Sequence, residues 1–84
     1  MESKHEINIK RSTAIALLAR LGLSDIPYAL PKQCGDDLSR YLSNIILNNT
    51  DENYETIIIE IDDLKKQVND FENAIKILNY YAID

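Results

Sequence analysis

Glycine and proline are scarce here, two of each in 84 residues. Two glycines cannot build a phosphate-cradling loop, which needs several at close spacing. The single cysteine, Cys34, excludes a disulfide framework and a thiolate metal cluster. An unpaired thiol fits a reducing compartment. Lys32 is its one basic neighbour in sequence, so Cys34 reads as a spectator thiol rather than a redox group. Tryptophan is absent, and the one histidine, His5, sits in a polar N-terminal stretch with no nucleophile arranged against it. The CxxC, HExxH and nucleophile-elbow patterns are missing. No apolar run approaches the roughly 18 residues of a membrane span, and Met1 to Glu6 lack the apolar centre of a signal peptide. The expectation is a non-enzymatic cytoplasmic protein without cofactor or metal.

What is present is charge of uneven sign. The net charge is −5, and residues 1–42 hold six Lys or Arg against five Asp or Glu, while residues 43–84 hold three against nine. The second half would repel a phosphate backbone. Nucleic acid would have to be held by Lys10, Arg11, Arg20, Lys32 and Arg40, a scattered footprint. Chains this short bury only about 60–65% of their unfolded surface, so oligomerisation is a common way to complete the core.

Along the chain, residues 1–11 read as a loose arm, despite a brief alternation at Ile7 and Ile9. A single domain over residues 12–84 follows. Ser12 or Thr13 caps a first helix, about 12–22, with Gly22 placed for a left-handed C-cap and Leu23 for its apolar contact. Its mostly apolar faces predict a buried helix. Pro27, Pro31 and Gly35 make residues 24–36 a turning linker. A second helix, about 36–48, carries Leu38, Tyr41, Leu42, Ile45 and Ile46 at three-four spacing, with Asp36 and Asp37 at its start. Asn48-Asn49-Thr50 ends it, and Asp51, Glu52 and Glu55 mark the start of the next.

The last thirty residues carry a heptad. Tyr54, Ile61, Val68, Ile75 and Ala82 occupy one register, Ile57, Leu64, Phe71 and Leu78 the other. This predicts helix over 52–82. As one piece it would be roughly 45 Å long and need a second copy beside it; the alternative is a break near 67–70, with Asn69 or Asp70 capping a last helix. Thr56-Ile57-Ile58-Ile59 favours a strand by β-branching, but the register running through it argues for helix. Ile58, Ile59, Ile77, Tyr80 and Tyr81 lie off the seam and call for a second packing side. The expected fold is therefore all-α: a three- to four-helix protein, completed as an intertwined helical dimer. Its expected interface is Tyr54, Ile57, Ile61, Leu64, Val68, Phe71, Ile75, Leu78, Tyr80 and Tyr81. Glu60, Asp62 and Asp63 form an acidic cluster, either a solvated helix face or a docking patch for a basic partner. Asp51, Asn53, Glu55, Ile58 and Asp62 fall on EF-hand loop positions, but Thr56 stands where that loop needs glycine, so calcium is not expected.

Asn44-Ile45-Ile46-Leu47 before the turn, Ile57-Ile58-Ile59 after it and Leu78-Asn79-Tyr80 at the end give residues 38–82 a pattern similar to the small enterobacterial regulators of the YmgB/AriR and YcgZ group. This chain is several residues shorter between its last two helices. The resemblance implies an all-helical dimer without catalytic residues, a connector that binds signalling or transcriptional proteins in stress and biofilm responses. Two other functions fit the residues. One is an acidic inhibitor, immunity or antitoxin-type protein masking a basic surface; the other is a DNA-associated helical modulator.

Overall fold

Two short alternations far apart in sequence, Ile7/Ile9 and Ile57/Ile59, find each other. In the computed structural model, which describes residues 5–48 and 55–83, the order is β1 (Glu6–Lys10), α1 (Arg11–Leu23), α2 (Lys32–Asn48), β2 (Thr56–Glu60), α3 (Ile61–Gln67) and α4 (Phe71–Tyr81). The strands pair antiparallel, with Glu6 opposite Glu60, Ile7 opposite Ile59, Asn8 opposite Ile58, Ile9 opposite Ile57 and Lys10 opposite Thr56. The fold is thus mixed α/β, four helices with a two-stranded sheet among the described residues, and not the expected all-α bundle.

Strand periodicity explains the correction. Alternate residues point to opposite faces, so Ile7, Ile9, Ile57 and Ile59 all enter the core while Asn8 and Ile58 face outward. Burying one such side chain contributes about 1.5–3 kcal/mol, and the ladder satisfies the backbone groups that the two segments turn toward each other. Residues 6–10 are therefore a strand rather than part of a loose arm, and 56–60 are a strand rather than the opening of a helix. Each strand runs straight into a helix through an extended residue, Lys10 before α1 and Glu60 before α3.

The heptad survives in pieces. Val68 leaves α3 in an extended conformation (φ −123°, ψ 116°), which keeps its side chain in the core. The Asp70 carbonyl then accepts from Ala74 N–H at 3.2 Å, and its carboxylate accepts from Asn73 Nδ2 at 2.7 Å. The C-terminal segment is two helices, broken where Gln67 to Asp70 suggested. Within this one chain, Ile57, Leu64, Val68 and Leu78 of the expected seam are fully buried against Leu17, Leu38, Leu42 and Ile77.

The first two helices shift at their ends. α2 begins at Lys32, directly after Pro31, whose carbonyl accepts from Gly35 N–H at 3.0 Å; proline suits a helix start and not its interior. α1 continues past Gly22 and ends on Ser24, a left-handed residue (φ 57°, ψ 28°). Only Ala14 and Leu17 of α1 are fully buried, and Leu23 is 77% exposed, so this helix lies at the surface and Leu23 makes no capping contact. The Asn49-Thr50 turn and the acidic start at Asp51 and Glu52 lie outside the described residues.

Candidate interaction surface

The antiparallel register does what no local pattern suggested: it sets Glu6 directly against Glu60. Ile61 N–H donates to the His5 carbonyl at 3.0 Å and Arg11 N–H to the Glu55 carbonyl at 2.7 Å. These fix the hydrogen-bonded rungs, so Glu6 and Glu60 form a non-hydrogen-bonded rung, where side chains lie closest. Like charges opposed there destabilise the sheet. Asp63, in the first turn of α3, adds a third carboxylate. The three rim a hollow of about 400 Å³ whose wall includes Tyr41, Ile45 and Ile58.

Tyr41 links this rim to the core. It is buried, and its hydroxyl lies near the Asp63 carboxylate. Burial, then the Asp63 charge and hydrogen bond, then the Glu60 charge, push its pKa well above the usual tyrosine value. Asp63 also accepts from Gln67 Nε2 at 3.3 Å. Among the described residues the ion pairs are Arg20–Asp25, Lys32–Asp36 and Arg40–Asp37, so Glu6, Glu60 and Asp63 have no cation of their own. Of the expected acidic patch, Glu60 and Asp63 share this hollow, whereas Asp62 is exposed on α3 and does not line it. Glu6 was missed because its stretch reads as an unpaired arm.

The other expected interface residues scatter. Ile61, Ile75 and Tyr81 are half-buried against the core, and Phe71 is half-buried with Lys65 Nζ 5.3 Å from its ring centre. Tyr80 is 59% exposed and packs edge-on between Tyr28 and Tyr81, with ring centroids 5.7 and 5.0 Å away. Lys76 Nζ lies 4.6 Å from the centre of the Tyr28 ring. Tyr54 lies outside the described residues. A second, larger hollow of about 790 Å³ opens between the end of α1, the 24–31 linker and the start of α2, with the Lys32–Asp36 pair on its rim.

Cys34 is buried, its thiol donating to the Asp70 carbonyl at 3.5 Å. Burial, aided by the charges of Asp70 and Asp37, pushes the thiol up to about 11, which leaves almost no thiolate near neutrality. Asp37 is the buried carboxylate of the described residues and accepts from Gln33 Nε2 at 2.9 Å and Arg40 NH1 at 3.4 Å. No group of His, Cys, Asp and Glu among the described residues is placed to hold a metal ion. None of their helices is long and apolar enough to cross a membrane. No protein family, curated protein or solved structure matches the chain.

Proposed function

We propose that this chain is a small regulatory protein that acts by binding, and that it masks a basic surface on a target protein. The observation that carries this reading is the Glu6–Glu60 rung with Asp63 beside it. A fold that holds two carboxylates against each other, with no cation paired to them among the described residues, gives up stability. A Lys or Arg from a partner reverses that cost on binding. Such a complement also accelerates encounter with a basic partner. The net charge of −5 acts in the same direction. The compartment is read as a reducing cytoplasm, in keeping with the unpaired, buried Cys34.

Of the functions open from sequence, this is the acidic-inhibitor type. The connector reading belongs to the same class, but Ile57, Leu64, Val68 and Leu78 of the seam assigned to it lie within this chain's own core. The test uses two baits in native extract, the unchanged chain and Glu6→Gln/Glu60→Gln. The double variant is expected to be more stable by about 0.5 kcal/mol, since it relieves the opposed charges, and to lose a basic protein that the unchanged bait retains at low salt. A capture profile identical for both baits would rule the reading out.

A further inference from the structure

A sheet edge exposes unpaired N–H and C=O groups that invite another strand, and proteins normally protect such edges. The two edges of this sheet are treated differently. On β1, the Asn8 carbonyl points away from β2 and accepts from Ile83 N–H at 2.8 Å, so the C-terminal segment lies against the midpoint of that edge. On β2, the same alternation turns the N–H groups of Thr56, Ile58 and Glu60, and the carbonyls of Thr56 and Ile58, away from β1. Among the described residues no backbone group bonds to them.

Among the described residues, three of the usual protections are absent from this edge. Thr56-Ile57-Ile58-Ile59-Glu60 holds no lysine and no proline, and its pairing with β1 runs without a bulge. Ile58, at its midpoint, is 56% exposed. A two-stranded sheet is also at the lower limit of what is stable alone, and further strands strengthen it.

We infer that β2 pairs antiparallel with β2 of a second copy of this chain, about a two-fold axis at Ile58. The sheet then runs β1, β2, β2, β1. The Ile58 residues of the two copies exchange both backbone hydrogen bonds, and each Glu60 N–H meets the Thr56 carbonyl of the other copy. A second copy suits the edge because this register is self-complementary. Thr56 faces Glu60, Ile58 faces Ile58, and no like charges are opposed across the new seam. A register centred on Glu60 would oppose carboxylates, which disfavours it. Lys10, opposite Thr56 within one copy, also joins the row containing Glu60 and Glu6 of the other. The inference is independent of the basic-target reading, because edge pairing uses the backbone rim of β2 and leaves the outer face open.

Charge swapping at the axis tests it. Ile58→Lys and Ile58→Glu each place like charges opposite themselves, and each should weaken self-association by roughly tenfold or more without altering the circular dichroism spectrum. An equimolar mixture of the two should associate again. Sedimentation should give twice the 9.6 kDa chain mass for the unchanged protein at high concentration and for the mixture. Hydrogen exchange supplies a second readout: the amides of Thr56, Ile58 and Glu60 should slow as concentration rises. A chain that stays monomeric at every concentration overturns the inference. So does a dimer indifferent to both substitutions, and so does slow exchange of those amides in the monomer, which would mean the chain covers its own edge.

Discussion

At the scale of single residues, Ser24 carries an avoidable cost. It is the one non-glycine residue of positive φ among those described, and a side chain in that conformation costs roughly 1 kcal/mol. Its N–H donates to the Leu21 carbonyl at 3.3 Å and the Asp25 N–H to the Arg20 carbonyl at 2.9 Å, a paired helix-end motif. Ser24→Gly should keep both bonds and raise stability by about 0.5–1 kcal/mol, read as a higher urea midpoint; a lower midpoint would refute this account of the helix end. Gly22 is where the sequence points for that conformation, because glycine is its usual occupant. The helix instead runs on to a stop whose signals are a backbone pair and the Arg20–Asp25 ion pair at 3.0 Å. Neither is visible from composition. The apolar face of α2 was legible, since Leu38, Tyr41 and Leu42 are buried at the spacing that their sequence shows.

At the scale of elements, the sharpest contrast is between neighbours Ile58 and Ile59. The heptad puts both off the seam; the strand puts Ile59 in the core and Ile58 outside. Ile59→Ala should therefore cost about 2–4 kcal/mol through the cavity it leaves. Ile58→Thr, measured in the monomer, should stay within about 0.5 kcal/mol. Urea unfolding distinguishes the cases, and equal effects would speak for the helix. The reason the strand was not legible is its distance from its partner. The β-branched run had the right local preference, but Ile7 and Ile9 lay in a stretch too brief to read as a strand. The apolar spacing of α3 and α4 then carried the helical reading backward through Thr56 to Glu60. What decided the outcome was pairing across most of the chain, which no window of residues contains. Two of the three carboxylates of the acidic site were legible for the same reason: Glu60 and Asp63 are near in sequence, and Glu6 is not.

At the scale of the whole molecule, two buried acids tie the fold to pH. Cys34 rises from 9.0 to about 11, and Tyr41 is also raised by burial and by Asp63. Both are neutral in the folded chain, and the unfolded chain loses these protons first as pH rises. Their contribution is therefore intact below about pH 9 and falls as pH rises through the folded values. Stability at about pH 10.5 should be lower than at neutrality by about 1–2 kcal/mol, with Cys34→Ala removing part of the difference. Urea midpoints that do not move between those conditions would contradict this.

The pairing of β1 with β2, closed by Ile83 on Asn8, also dictates an order of events during synthesis. β1 leaves the ribosome well before its partner, which follows only after α1, the linker and α2 have been made. The Asn8 carbonyl on its outer edge waits longer still, for Ile83. Ile7 and Ile9 thus stay without their partners until Ile57 and Ile59 have been made, and until then the nascent chain has no sheet to fold around. Emergence of β2, rather than of α1 and α2, is the step that permits the sheet to form.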